Sequence, residues 1–262
     1  MPVRIKTGPQ IDRMRVPCRR LGQIFDALGE MIRPGVSTFE IDAEGERLIR
    51  EAGGVPNFLH YEGYPASICV SVNEEVVHGI PRKDRILKEG DIVSLDAGMV
   101  IGGWHSDAAR TYPVGNVSEA DAALIAAAEE SFFAGLAYAR AGHTLYEISA
   151  AIGGWAKTHG YGVVRDLTGH GIGRALHEDP VIPNYAQKTK GVLLVPGMTL
   201  AIEPMLTAGG EEVAWLDDGW TVVTRDGAKA SHYENTVLIT EDDPEILTLP
   251  GNAAARGGEA AE

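Results

Sequence analysis

The sequence predicts a mixed α/β domain built from two pseudo-symmetric halves. Three observations predict it: two helix starts of one design, two alternating strands that each follow a turn glycine, and one constant spacing between the sets. Arg33-Pro-Gly-Val-Ser-Thr-Phe-Glu-Ile-Asp places Ser37 three residues before Glu40, and Arg140-Ala-Gly-His-Thr-Leu-Tyr-Glu-Ile-Ser places Thr144 three before Glu147. In such a capping box the hydroxyl accepts from a free backbone N–H and the glutamate reaches back to another. Leu87–Asp96 and Leu194–Glu203 alternate like half-buried strands after Gly90 and Gly197. From Gly35 to Gly142 the offset is 107 (142 − 35), and the same offset carries Arg33 to Arg140, Ile41 to Ile148, Gly53 to Gly160 and Asp96 to Glu203. A register kept over about 60 positions implies a duplicated helix-plus-strand unit. Pseudo-twofold symmetry then sets Asp96 and Glu203 at equivalent places on opposite sides of one cleft.

The remaining elements follow in order. Residues from about 10 to 32 carry Ile11, Met14, Cys18, Leu21, Ile24 and Leu28 at helical spacing. Pro17 either kinks that helix or marks its real first turn. After the first capping box a helix buries Ile41, Leu48 and Ala52 and stops before Gly53. Gly102 and Gly103 form the bend of a hairpin, which brings Asp107 beside Asp96. Ser-His-Tyr-Glu-Asn-Thr-Val-Leu-Ile-Thr, containing Glu234, is a late strand. Residues 1–250 are expected to be one domain, with halves of roughly 10–120 and 121–248. Residues 251–262 have few bulky apolar side chains and are expected to be a disordered tail.

Composition narrows the function. A net charge of −14 argues against a general binder of nucleic acid or anionic membrane. Locally, Arg4, Lys6, Arg13, Arg15, Arg19 and Arg20 face only Asp12, which suggests a solvated basic helix face. Two cysteines, Cys18 and Cys69, make no disulfide framework. No apolar run reaches the roughly 18 residues of a spanning helix. No signal-peptide pattern opens the chain, so a cytoplasmic location is expected.

Thr168-Gly-His-Gly-Ile-Gly-Arg-Ala-Leu-His177 sets two histidines seven residues apart in a glycine-rich run. Such a run fits a structural turn as well as a ligand loop. As a phosphate loop it lacks the required spacing and the following Lys-Ser/Thr. Its meaning comes from the acids that can meet it. An acid embedded in an apolar strand is costly to bury unless it is paired or metal-bound. Taken singly, each acid also suits a partner for an arginine or a turn. Together, Asp96, Asp107, His170, Glu203 and Glu234 give four hard oxygen donors and one imidazole. That set suits two divalent ions sharing bridging carboxylates and is too oxygen-rich for structural zinc.

With these residues in place, the chain resembles the methionine aminopeptidases, of the type I bacterial kind, over residues of about 10 to 248. The motifs that carry the resemblance are Gly-Tyr-Pro-Ala-Ser-Ile-Cys-Val-Ser-Val-Asn-Glu-Glu-Val-Val-His-Gly-Ile-Pro (63–81), Ser-Leu-Asp-Ala-Gly (94–98), Trp-His-Ser-Asp (104–107), Gly-His-Gly-Ile-Gly (169–173), Ile-Glu-Pro-Met (202–205) and Tyr-Glu-Asn-Thr (233–236). The resemblance implies a pita-bread fold, two α/β halves around a dinuclear metal site. It implies that Asp107 and Glu234 bridge two ions, that Asp96 completes one site, and that His170 with Glu203 completes the other. His78 would contact the substrate from the rim, and His177 would hydrogen-bond the scissile peptide. Tyr61, Tyr64, Cys69 and Trp220 would line the pocket for the methionine side chain. Without the resemblance, His78 reads as a surface histidine and the other four as core.

The activity implied is removal of the N-terminal methionine from newly made chains, favouring a small second residue. Glu203 would be the proton acceptor and shuttle. Two divalent ions are implied, of cobalt, manganese, iron or zinc. A monomer acting near the ribosomal exit tunnel is implied, with no direct nucleic-acid recognition and no membrane. Met1-Pro2 itself has the small second residue such an enzyme favours. The chain lacks a long N-terminal extension with zinc-binding cysteines, so the short form is implied. The 31 positions from Glu203 to Glu234 leave no room for the helical insert of type II relatives. Phe58 stands where many bacterial relatives carry cysteine, and Asn235 where many carry histidine. The acidic stretch from Gly209 to Asp218 offers no basic dock. Prolidase-like peptidases share the five ligand types but usually add a large N-terminal domain. A binding protein that keeps the fold without catalysis would lose ligands, and all five are present.

Overall fold

The computed structural model describes residues 3–249. The Met1-Pro2 start and the tail expected to be disordered lie outside the described residues. In chain order the elements are α1 (Gly8–Met31), α2 (Thr38–Glu51), β1 (Val55–Pro56), β2 (Cys69–Val72), β3 (Glu75–Val77), β4 (Ile92–Ile101) and β5 (Trp104–Pro113). The second half holds α3 (Glu119–Leu136), α4 (Leu145–Thr158), β6 (Gly162–Val163), β7 (Gly169–Gly171), β8 (Glu178–Ile182) and β9 (Thr199–Ile202). It ends with β10 (Met205–Thr207), β11 (Val213–Trp215), β12 (Val222–Thr224), β13 (Ala230–His232), β14 (Glu234–Leu238) and β15 (Glu245–Ile246). No helix of the described residues is long and apolar enough to cross a membrane.

The predicted repeat is present in the backbone. Glu40 reaches back to Ser37 N at 2.8 Å, and Glu147 to Thr144 N at 2.6 Å. A box of this kind contributes about 1 kcal/mol to a helix start. Gly53 and Gly160 each follow the last helical turn with φ of 77° and 82°. Each box also makes the same distant bridge: Ser37 pairs with Ile86, and Thr144 with Leu193. Those pairs are related by the 107-residue offset. So are the bonds from Leu87 N to Val36 O and from Leu194 N to His143 O, both 2.8 Å.

Some local readings change. α1 starts at Gly8, with Gln10 reaching back to Thr7 N and Pro9 in its first turn. Pro17 neither starts nor ends the helix; it lies inside, buried. A proline there costs about 3 kcal/mol, so burial of Met14, Cys18, Leu21 and Phe25 along the same face has to outweigh it. In α2 Ile49 is the fully buried residue beside Ile41, whereas Leu48 and Ala52 are only partly covered. The basic N-terminus is not a purely solvated face either. Lys6 is buried against Glu178, and Arg15 holds Glu245.

The central sheet runs β1-β4-β5-β14-β9-β7-β8, with β2 also on β4 and β15 on β14, and its pairings are antiparallel. The fold is therefore of the α+β kind. β4 and β9, the repeated strands, flank the central pair β5-β14. Val93, Leu95, Ala97 and Met99 of β4 pack with α1 and α2 in one core. Leu200 and Ile202 of β9 pack with α3 and α4 in a second. Burying one such side chain contributes roughly 1.5–3 kcal/mol. Because side chains alternate along a strand, the helix-facing residues force Asp96 and Glu203 to the opposite side of the sheet.

Candidate active site

Five strands converge on one polar spot. Gly102 and Gly103, with φ of 59° and 74°, make a two-residue bend between Ile101 and Trp104. Positive φ at both positions suits a tight hairpin and favours glycine. The register that follows pairs Asp96 with Ala109, and the neighbouring strand pairs the same Ala109 with Glu234. Asp107, two residues from Ala109, points the same way. The alanine leaves room, so three carboxylates surround it. Glu203 follows Ile202, whose partner is Asn235, and so stands beside Glu234. His170 is opposite Ala201, two residues from Glu203. All five residues predicted as a set thus come together. Ligand atoms of Asp107, His170 and Glu234 lie within 4.8 Å of one another.

Burial and repulsion define the chemistry here. Burial pushes the Asp96 carboxyl up to about 7. Burial also raises Asp107, Glu203 and Glu234 well above the carboxylate range, and their mutual repulsion adds to it. Asp96 Oδ1, Asp107 Oδ1 and Glu234 Oε1 are buried and make no hydrogen bond. Unpartnered buried oxygens among like charges are what a divalent cation relieves. The imidazole fits the same purpose. A carbonyl only accepts, so His170 Nδ1 donates to Gly171 O at 2.9 Å. Nε2 faces the acids, 3.5 Å from Glu203 Oε1 and 3.8 Å from Asp107 Oδ2. Burial, with His177 nearby, holds His170 down at about 3, so the ring is neutral and its lone pair free. The donor set fits a divalent metal.

The frame behind these ligands is tightly bonded. Thr236 Oγ1 donates to Asp107 O at 2.8 Å and accepts from Asp107 N at 3.1 Å. Arg110 donates to Glu234 O and stacks on the Tyr233 ring at 4.4 Å. Asn235, on the far side of β14 from Glu234, accepts from Arg110 at 2.5 Å and from Thr248 at 2.8 Å. Its side chain therefore secures the arginine behind the site rather than touching a ligand.

Beside the carboxylates lies a pocket of ≈180 Å³ walled by Phe58, Tyr61, Tyr64, Cys69, Leu176 and Trp220. Tyr64 meets Trp220 edge-on at 5.1 Å and donates to Gly79 O at 2.9 Å. Cys69 pairs with Asp96 across β2 and β4, and burial raises its thiol well above the usual range. It is a wall rather than a nucleophile. Phe58 adds bulk to the same wall. A wider cleft of ≈460 Å³ opens from there, lined by His78, Asp96, His170, His177, Glu203 and His232 among others. Burial pushes His78 down to about 4, so it is neutral. It also sits at a positive φ of 58°, a strained setting for a non-glycine. His177 is more open; its Nδ1 lies 2.8 Å from the Tyr61 hydroxyl, and its ring centre 4.3 Å from that of His170.

Sequence reasoning missed His232. Its ring is buried in the cleft with Nε2 3.9 Å from Glu203 Oε2, and neither nitrogen has a hydrogen-bond partner. The signal was available: His232 precedes Glu234 by two positions, so alternation puts both on one side.

Comparison with known proteins agrees with this geometry. The profile of metallopeptidase family M24 matches residues 12–241. The methionine aminopeptidase of Clostridium acetobutylicum is 48% identical over 245 residues, covering 94% of this chain and 98% of that protein. The methionine aminopeptidase 1 of Bacillus subtilis is 49% identical over 243 residues, covering 93% and 98%. The crystal structure of methionine aminopeptidase from Thermotoga maritima superposes with a TM-score of 0.92 at 42% identity, covering 94% of this chain and 99% of that one. The pita-bread fold and metal-dependent hydrolysis expected from the motifs follow from these likenesses. The chain belongs to metallopeptidase family M24, in its group of bacterial methionine aminopeptidases.

Proposed function

We propose that this chain removes the N-terminal methionine from newly made polypeptides by metal-assisted hydrolysis, favouring a small second residue. One observation carries the reading: a cluster of unpartnered carboxylate oxygens stands at the mouth of a small aromatic- and thiol-lined pocket. An unbranched, polarisable thioether suits such a wall.

In this reading Asp96, Asp107, His170, Glu203 and Glu234 would hold two divalent ions, with Asp107 and Glu234 shared between them. The donors accommodate cobalt, manganese, iron or zinc. Bound there, such ions supply Lewis acidity, lowering the pKa of water and polarising a carbonyl. Glu203 takes and returns the proton, as a carboxylate beside the attacked bond can. In this reading the Tyr61 hydroxyl, 2.8 Å from His177 Nδ1, donates to it. The imidazole then carries its proton on Nε2 and donates it to the scissile peptide oxygen. His78 contacts the substrate beyond the cleaved bond. Tyr61, Tyr64, Cys69 and Trp220 hold the methionine side chain.

Residues 1–250 form one catalytic domain in this reading, acting as a cytoplasmic monomer on chains near the ribosomal exit tunnel, without contacting nucleic acid or membrane. The acidic stretch from Gly209 to Asp218 gives no basic dock, and its Glu211 is engaged with Arg165 at 2.9 Å.

The test offers metal-stripped protein the peptides Met-Ala-Ser, Leu-Ala-Ser and Ala-Pro-Ser, with and without Mn²⁺ or Co²⁺, and weighs the products. Metal-dependent loss of methionine alone is expected. Cleavage at Ala-Pro would move the chain to the prolidase side. Tight metal binding with no cleavage would favour a binding role.

A further inference from the structure

Residues 3–7 run along the second half before α1 begins. Lys6 N donates to Gly197 O at 2.8 Å. Its stem passes over Gly173, where a Cβ would meet Lys6 Cε at 2.5 Å and make the stem shift. The chain then ends in an ion pair: Lys6 Nζ lies 2.8 Å from Glu178 Oε2, with the two side chains 4% and 5% exposed. The other oxygen of Glu178 accepts from Arg174 N at 2.7 Å and Ala175 N at 3.2 Å. Gly173 N closes the turn on Ala175 O, while Gly173 O accepts from His105 N. The turn 173–178 is thus closed on Glu178, and Glu178 is closed on Lys6. His177 sits in that turn, one residue before Glu178.

A buried ion pair is a poor device for stability alone, because removing both charges from water offsets their attraction. It is a good device for geometry, since an unpaired buried Glu178 would have to move. We propose that Lys6 is a positioning residue for His177: the Lys6–Glu178 pair fixes the turn that aims the imidazole into the cleft. This rests on the reading of His177 as the donor to the scissile peptide. An imidazole displaced by about 1 Å loses most of a directional contact while leaving the pocket and the metal ligands intact.

The test uses the full, metal-loaded chain. Lys6→Met should lower kcat on Met-Ala-Ser by about tenfold to a hundredfold, with KM held within about twofold and metal content unchanged by elemental analysis. In a His177→Ala background the same substitution should leave the remaining kcat unaltered, because it has no imidazole left to misplace. An equal proportional loss in both backgrounds, or no loss in either, overturns the proposal. Should Lys6→Met fail to fold, Glu178→Gln removes the charge while keeping an oxygen for the turn amides, and the same non-additivity is expected. A second readout needs no peptide: the ¹⁵N imidazole resonances of His177, assigned by their loss in His177→Ala, should shift in Lys6→Met, and unmoved resonances overturn the proposal. If the unaltered enzyme releases no methionine, the functional reading fails, and the resonance experiment still decides whether Lys6 places His177.

Discussion

Asp96 and Glu203 hold the same place in the repeat, yet the strands beside them differ. Across from Asp96, β2 presents Cys69, a buried thiol that burial keeps protonated. Beside Glu203, β7 presents His170, a buried imidazole whose Nε2 faces that acid at 3.5 Å. One half therefore offers an oxygen donor and a soft apolar wall. The other offers a nitrogen donor and a longer acid that reaches further into the cleft. The duplicated scaffold accounts for where the acids stand. Divergence of the neighbouring strands sets a thiol wall beside one acid and an imidazole beside the other, and the proposed division of labour between the acids rests on that difference.

The sharpest way to break that comparison is to blunt both acids alike. Glu203→Gln should cost about 10²- to 10⁴-fold in kcat, the range of a lost general acid–base. Asp96→Asn should act through metal content, read by elemental analysis, with a smaller loss once metal is supplied in excess. Equal kcat losses at equal metal content would remove the division of labour.

Next in size is the response of the metal-free protein to pH. His78, His170 and His232 are held at about 4, 3 and 3, below the ordinary value. They bind fewer protons folded than unfolded, so they add stability as pH rises toward about 6.5 and nothing beyond. Asp96, at about 7, and the other three carboxyls, raised well above the ordinary carboxylate range, bind more protons folded than unfolded. Their contribution falls as pH climbs through those values. Above about pH 6.5 only the carboxyl effect remains, so the melting temperature of the stripped protein should drop as pH rises through about 7. Added Mn²⁺ should flatten the drop. A flat curve without metal would mean that the acids are not crowded.

Smaller effects separate the halves at their turn glycines. Gly90 and Gly197 share positive φ of 85° and 90°. A Cβ at Gly90 has nothing nearer than Asn116 O at 3.9 Å, whereas one at Gly197 meets Lys6 O at 2.5 Å. Gly90→Ala should cost about 1–2 kcal/mol from backbone strain alone, and Gly197→Ala distinctly more, by urea unfolding. Equal costs would mean that residues 3–7 yield freely. The smallest effect sharpens the symmetry instead: Ser37→Ala and Thr144→Ala should each cost about 1 kcal/mol. A large gap between them would show that the two boxes do different things.

The duplicated frame was legible because its signals are local. Capping boxes, turn glycines and alternation each span a few residues, and together they set Asp96 and Glu203 at equivalent places facing one cleft; that both strands belong to one sheet was not legible. The hairpin bend gave Asp107 in the same way. His232 was passed over because attention stayed on acids, although its parity with Glu234 was in plain view. Lys6 pairing with Glu178 is 172 positions away in sequence and has no local signature. Nor does the insertion of β14 between β5 and β9, which depends on tertiary pairing alone. Pro17 left two readings open, a kink or a first turn, and only the burial of the whole helix face places it inside α1.

The bend at Gly102 and Gly103 turns chain length into a functional constraint. Between Asp96 and Asp107 the strands count eleven steps (107 − 96) around a two-residue turn. One residue more or fewer would rotate every side chain after the turn to the other face. Asp107 would then point into the helices and Ala108 into the metal cleft. Between β10 and β13 none of the five acid and imidazole donors depends on the count, so insertions there change the pocket walls, Trp220 included. Drift in length can therefore reshape what this enzyme admits, whereas a single added codon in the hairpin would dismantle the centre that does the work.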